Sequence, residues 1–236
     1  MLEAVISDGG RSNVSALARQ IDMPVATAHR QVTTLVSAGY LTPSGGGRHV
    51  AGSRLLGLLH QLDEKQVVAN VAAPVLHELA SRVHSVVQLG TFENDMVTYR
   101  IKTGRGASEL FTRIDMQLEA YCSGIGKVLL AHQPEAEREA YLANGPFVAL
   151  TENTITDPAK LREELARIAV QGFALDDGEI SPDLRCMAVP LKNGDGSVLA
   201  AISVTQVVGS ARQIPDNDLR PMLLDAAGRI ETDAFG

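Results

Sequence analysis

Residues 14–51 read VSALARQIDMPVATAHRQVTTLVSAGYLTPSGGGRHVA: two helical apolar patterns parted by a tight turn, then a glycine-rich hairpin. In the first pattern Val14, Leu17, Ala18 and Ile21 recur at helical spacing while Ser15 and Gln20 face outward, which predicts a short amphipathic helix. Asp22-Met23-Pro24 stops it. Proline has no N–H to donate inside a helix but fits the first turn, so Pro24 marks the start of a second helix, running from about Val25 to Ser37. Its apolar face collects Ala28, Val32, Leu35 and Val36; Ala26, Thr27, Arg30, Gln31, Thr33 and Thr34 are left to solvent. An exposed face of Thr, Arg and Gln with almost no acid suits a polyanion. Ala38-Gly39 closes the helix, glycine being the usual residue in the left-handed position past a C-terminus. Tyr40–Pro43 and Arg48–Ala51 read as two short strands joined by Ser44–Gly47, with Arg48 and His49 beside the tip.

Helix, turn, helix and β-wing in this order make a winged helix-turn-helix, whose second helix enters the DNA major groove with its N-terminal residues on base edges. Thr27 and Arg30 are best placed for that, and the candidate DNA-contacting set is Ala26, Thr27, His29, Arg30, Gln31 and Thr33 on the helix with Arg48 on the wing. Two short helices at this spacing also occur in packings that never meet DNA. Charge speaks for the first reading: residues 1–54 hold five arginines against Glu3, Asp8 and Asp22, a net +2, whereas the whole chain is −7, so the remainder is −9. Such asymmetry fits a nucleic-acid end on an acidic body. A +2 end binds a polyanion weakly by itself, because phosphate neutralisation supplies most non-specific affinity, so two copies are expected to act together.

At 236 residues the chain exceeds a 50-residue reader by enough for a second domain. Upstream of the reader, Leu2, Ala4, Val5 and Ile6 make only a short first helix, and a preceding segment is expected to be missing. Downstream, Ser53 to Leu62 forms a leucine-rich helical stripe that serves equally as core or as a dimer-forming linker. A helix over about Val67–Val83, interrupted by Pro74, leads into β-rich runs Ser85–Phe92 and Met96–Ile101 joined by Glu93-Asn94-Asp95. Later runs at Phe173–Leu175, Cys186–Leu191 and Val198–Val208 extend the sheet, the last two joined by the turn Lys192–Ser197. With helices expected at about 125–132, 135–143, 157–171 and 216–231, the fold class is α+β.

Strand alternation puts Ser203 and Thr205 on one face. Cys186 falls on the adjoining strand and Asp176 ends the strand before it, so these four residues can line a small polar site. Ser123-Gly124-Ile125-Gly126 precedes a helix whose free N–H groups favour an anion such as a carboxylate. Without further support, such hydroxyls are more often simply satisfied in a core or on a surface. Asp176-Asp177-Gly178-Glu179 reads as a solvated turn; it lacks a neighbouring histidine and carries Gly178 within it, so no metal is expected. Gly124–Lys127 imitates a phosphate loop, but Tyr121 and Val128 break that signature. The six histidines show no HxxxH or HExxH spacing, and the two cysteines, Cys122 and Cys186, make neither a disulfide framework nor a CxxC motif. No cofactor is expected.

Two separated blocks resemble the IclR family of bacterial transcription regulators. Leu17-Ala18, Met23-Pro24, Thr27–Arg30, Leu35, Gly39-Tyr40-Leu41 and Ser53–Gly57 are similar to its N-terminal domain; Gly124–Lys127, Gly172–Asp177, Leu184–Pro190 and Ala200–Thr205 resemble its effector-binding domain. The resemblance implies a winged helix-turn-helix over residues 1–52, a linker helix over 53–66, and a GAF-like α/β effector-binding and oligomerisation domain over 67–236. It also implies effector contacts at Ala107, Leu110, Gly124, Asp176, Cys186, Ser203 and Thr205. Tyr121 stands where many members have His, and Thr205 where many have Ser; a Tyr at the mouth is expected to narrow the pocket or make it more aromatic.

The function expected is a ligand-responsive DNA-binding regulator, repression being favoured over activation, that binds a palindromic double-stranded operator as a homodimer or a dimer of dimers and senses a small organic or aromatic acid. No apolar run reaches the roughly 20 residues needed to cross a bilayer, and residues 1–10 lack a signal-type pattern, so a cytoplasmic protein without a membrane partner is expected. The competing readings are an enzyme with an appended helix-turn-helix, using Cys186 or the Asp176/Asp177/Glu179 group, and an assembly module whose N-terminal domain binds protein. The first lacks a nucleophile, base and orienting group at recognisable spacing, and no catalytic residue is assigned.

Overall fold

The computed structural model describes residues 1–236. The chain divides into two compact units, Met1–Asp63 and Glu64–Gly236. The first contains α1 (Leu2–Asp8), α2 (Val14–Gln20), α3 (Val25–Ser37), the hairpin β1 (Leu41–Gly45) and β2 (Arg48–Ala51), and α4 (Ser53–Leu59). Asn13 caps α2, its side chain accepting the Ala16 N–H at 2.9 Å. Val5, Val14, Leu17, Ala18, Ala28, Val32 and Leu41 form the core, with Leu35 and Val36 half-buried against it. Ile21, expected on the inner face, is exposed: the helix stops at Gln20, and past its end helical spacing no longer fixes direction.

Glycine closes this unit where backbones meet. A Cβ on Gly52 would overlap the Gly39 carbonyl, and the Gly52 N–H donates to the Tyr40 carbonyl at 2.8 Å. The exit of β2 is thereby pressed onto the end of α3, and α4 starts at once. That helix ends at Leu59, short of the expected Leu62, and buries none of its residues; Leu56, Leu59 and Leu62 are all exposed.

The second unit opens with α5 (Glu64–Val83), which runs unbroken through Pro74 rather than being interrupted there. Six strands follow: β3 (Val86–Glu93), β4 (Met96–Gly104), β5 (Gln117–Glu119), β6 (Ala174–Asp177), β7 (Leu184–Lys192) and β8 (Val198–Val207). They form one antiparallel sheet in the order β5-β4-β3-β8-β7-β6. Alternation sends Val87, Leu89, Val189, Ile202 and Val204 to one face, where α5 and α9 (Asp216–Phe235) cover them. The other face carries α6 (Gly124–Ala131) and α8 (Pro158–Gln171), with α7 (Glu135–Leu142) beside them. This is a mixed α+β fold, as the order of strand and helix patterns predicts.

Two details position the site. The pairing of β3 with β4 slips between Leu89 and Gly90, so that Tyr99 and Ile101 join opposite cores although two residues apart. In α6, a Cβ on Gly126 would overlap the Ala120 backbone, and one on Gly124 would stand 3.4 Å from the Ala188 Cβ. The glycines therefore let the start of α6 settle directly on the sheet.

Candidate functional site

Helical geometry fixes what α3 presents. At 100° per residue, the buried residues Ala28 and Val32 and the half-buried Leu35 centre on one direction, and Arg30 lies on the opposite side of the helix. Ala26, His29, Gln31 and Thr33 flank it in solvent, while Thr27 is half-buried. The hydroxyls of Thr33 and Thr34 donate back to the carbonyls of His29 and Arg30 at 2.9 and 3.1 Å, leaving their oxygens as acceptors and their methyls for an outside partner. His29 Nε2 lies 3.2 Å from Ser15 Oγ of α2. The wing is tied to the start of α2, the Val14 N–H donating to the Gly47 carbonyl at 3.2 Å, and Arg48 is exposed with its Nε donating to the Gly45 carbonyl at 3.3 Å.

In the second unit, register builds a polar floor. One row across the sheet pairs Lys102 with Gln88, Gln88 with Ser203 and Ser203 with Ala188; the next pairs Val86 with Thr205, Thr205 with Cys186 and Cys186 with Asp176. Over this floor sit Tyr99, Ser123 and Gly124, and Leu110, Phe111 and Thr112 of the loop between β4 and β5 close the top. The cavity between them is about 20 Å³. That holds roughly one water.

The polar lining is partly satisfied within itself. Gln88 Nε2 donates to Thr112 Oγ1 at 2.9 Å, Thr205 Oγ1 donates to Gln88 Oε1 at 3.4 Å, and Cys186 Sγ lies 3.2 Å from Thr205 Oγ1. Lys102 Nζ donates to the Leu110 carbonyl at 2.9 Å and to that of Thr112, which holds the covering loop down. Asp176 is the exception. Its Oδ1 accepts the Glu179 N–H at 2.8 Å, but Oδ2 is buried without a partner. Burial pushes its pKa up, against the opposing pull of the Glu179 and Ile180 N–H groups, of Lys127 and of the Cys186 thiol. Burial also holds the Tyr99 phenol and the Cys186 thiol well above their usual ranges, so both stay neutral, and Cys186 is no thiolate nucleophile.

Beneath this lining lies a charge group. Lys127 of α6 is buried and donates to the Leu175 carbonyl at 2.6 Å and to Glu179, with Glu164 Oε1 3.7 Å away. Burial raises Glu179 to about 7, Lys127 working in the other direction. The segment expected as a solvated turn is therefore mostly interior: Asp176, Gly178 and Glu179 are buried and only Asp177 faces water. Its folded-in carboxylates are balanced by a lysine remote in sequence.

Six of the seven residues expected at the effector site line the one cavity: Leu110, Gly124, Asp176, Cys186, Ser203 and Thr205. Ala107 does not; it lies with Lys102 and Arg113 in a separate recess outside the covering loop. Tyr121 is not at the mouth. It stacks on Phe147 with ring centroids 4.7 Å apart and donates its hydroxyl to the Val148 carbonyl at 2.8 Å, because its position just before α6 turns it away from the sheet's polar rows.

Residues 1–45 match the IclR helix-turn-helix domain, and residues 60–232 match the family described as bacterial transcriptional regulator IclR C-terminal. The chain belongs to the IclR family of bacterial transcriptional regulators. Among relatives of this IclR-family chain, the Pca regulon regulatory protein of Pseudomonas putida is 28% identical over 228 residues, 94% of this chain and 77% of that one. An HTH-type transcriptional regulator of Escherichia coli, RhmR, is 32% identical over 206 residues, 87% of this chain and 78% of its own. Among solved structures, an IclR homolog from Microbacterium hydrocarbonoxydans complexed with 4-hydroxybenzoate aligns with a TM-score of 0.67 at 28% identity, covering 99% of this chain and 97% of that one.

Gln88, Tyr99, Thr112 and Lys102 were not foreseen in this IclR-family site. Period-two alternation along 86–90 marks Gln88 as the odd polar residue among Val86, Val87 and Leu89, a sign available in the sequence. Tyr99 was hidden by the slip in β3–β4 pairing, and Thr112 by lying on an irregular loop.

Proposed function

We propose that the chain is a one-component sensor that binds a palindromic operator through paired copies of α3 and releases it, as a repressor, when a small hydroxylated organic or aromatic acid enters the cavity around Asp176. The observation that carries this reading is the buried Asp176 Oδ2 without a partner, among the hydroxyls of Tyr99, Ser203 and Thr205. A buried acceptor left unpaired costs about 1–3 kcal/mol, which a ligand hydroxyl recovers by donating to it. The ligand's carboxylate is then received by the hydroxyls and by the N–H groups opening α6. The complex of the Microbacterium homolog with 4-hydroxybenzoate, a molecule with one hydroxyl and one carboxylate, supports that class.

On this reading residues 1–52 read DNA, 53–66 link, and 67–236 sense and oligomerise. Arg30 and Thr27 meet base edges, with Ala26, His29, Gln31, Thr33 and Arg48 around them. The exposed Leu56, Leu59 and Leu62 supply an apolar seam for a second copy, which supports a homodimer or a dimer of dimers. No helix is long and apolar enough to cross a membrane, in keeping with a regulator that acts in the cytoplasm. Because a cavity of about 20 Å³ admits no acid, binding requires the loop carrying Leu110 and Thr112 to lift, breaking the Gln88 and Lys102 bonds. That change is the differential interaction through which a ligand shifts an equilibrium between states.

A thermal-shift screen of small hydroxy acids finds the ligand, since one present at 100 times its Kd stabilises by about 2.7 kcal/mol. Ser203→Ala with Thr205→Val is expected to abolish that shift and leave operator binding intact. Undiminished ligand binding by calorimetry refutes the pocket.

A further inference from the structure

A groove of about 630 Å³ adjoins this small cavity, and Leu110, Leu184 and Thr205 line both, so these three side chains stand between an inner chamber and an outer one. The outer chamber is basic: His84, Arg105 and Arg212 stand around it against the single carboxylate of Glu109. The arginines of this unit that form ion pairs are Arg82, Arg100, Arg162, Arg167, Arg185 and Arg229, which leaves the guanidiniums of Arg105 and Arg212 without an internal counter-charge. Val86, Leu110 and Leu184 give an apolar surface between them.

Each cation leaves the sheet from an anchored point. Gly104, with φ 102°, is pressed so closely on the Ser85 carbonyl that no Cβ fits, which sets the point where β4 hands the chain to Arg105. On the other side Gln206 clamps Ile214, accepting its N–H at 2.6 Å and donating to its carbonyl at 3.1 Å, and the Arg212 N–H donates to Ser210 Oγ at 3.3 Å. Two unpaired guanidiniums beside an apolar wall suit a carboxylate at the end of a hydrocarbon spacer.

We propose that this groove is the outer half of the effector site and takes the second carboxylate of an elongated dicarboxylic acid whose first end fills the inner chamber. The proposal rests on reading the inner cavity as the effector site. Arg105 and Arg212 then set specificity by charge, and the wall of Leu184 and Thr205, which stays in place when the Leu110 loop lifts, sets the spacer length that fits.

The test is calorimetry of the full chain with 2-hydroxy-α,ω-dicarboxylic acids of increasing length, each beside the 2-hydroxy monocarboxylic acid of equal length. One length of diacid is expected to bind about tenfold or more tightly than its monoacid, from charge-assisted bonds to two arginines. Replacing both exposed arginines, Arg105→Ala and Arg212→Ala, is expected to erase that excess while monoacid affinity and Tm stay unchanged. Ser203→Val, which fills the inner chamber alone, is expected to remove binding of both acids. If diacid binding survives Ser203→Val but not the arginine changes, the groove remains an anion site and the assignment of the inner cavity falls. If no acid binds the unaltered chain, if diacid and monoacid bind alike, or if the excess survives loss of both arginines, the groove proposal is overturned.

Discussion

Arg30 and Asp176 stand in opposite environments. Arg30 projects from the side of α3 farthest from its core, so the surface proposed to read DNA is solvated in the folded chain. Asp176 is interior, one oxygen unpaired, beside a cavity with room for one water and under a loop held by Gln88 and Lys102. The contrast separates two kinds of functional residue. On the first unit the proposed DNA contacts are added to a core that closes without them; in the second the proposed effector contacts are part of the core, so that on this reading folding and sensing share them.

The largest test of that contrast is Lys127→Ala, which leaves the buried Glu179 without its cation, while Glu164 keeps Arg167. Breaking a buried pair this way costs about 3–5 kcal/mol, expected as a drop in the denaturant midpoint of the second unit while the first unit's transition stays in place. An unchanged midpoint means the interior charges do not hold this unit together. Arg30→Ala is the counterpart on the exposed side. It is expected to leave both unfolding transitions where they are and to weaken operator binding by about 1–3 kcal/mol in fluorescence anisotropy at fixed salt. Unchanged affinity removes Arg30 from the base-reading set.

The remaining test concerns pH. Burial lifts Glu179 from 4.5 to about 7, so between those values the folded chain holds a proton that the unfolded chain has lost. Its contribution is complete below about pH 4.5 and is lost as pH rises through 7. Asp176 is shifted the same way, while Glu93 and Glu139 are held low and act oppositely, so the clean comparison is with Glu179→Gln. The unaltered protein is expected to lose stability relative to this variant steadily from pH 5 to 7. Parallel pH profiles rule out Glu179 as the titrating group.

The same contrast explains what the sequence made legible. Residues 14–51 disclosed the reader because helical period, Pro24 and Gly39 are local marks, and even the limits of α3 follow from them. Ser203, Thr205, Cys186 and Asp176 could be gathered because strand alternation and a tight turn give register over short distances. Tyr99 and Lys127 could not. A slip in pairing redirects Tyr99, and the partner of Lys127 lies on a different element, so neither is set by local spacing. One trace existed: a lone lysine within GIGKVLLA, an otherwise apolar run, marks a charge that must find a buried partner. Ile21 and Tyr121 misled because each sits just outside a helix end, where periodicity stops specifying direction.

The central claim is that a buried acid site governs an exposed DNA-reading face. Fluorescence anisotropy of a duplex selected from a random library by the full chain, titrated with and without the acid found by thermal shift, tests it most directly. Acid is expected to change the apparent Kd by about fivefold or more in the unaltered chain and by nothing in Ser203→Ala/Thr205→Val. The same Kd with and without acid, in a chain that calorimetry shows to bind that acid, contradicts the account.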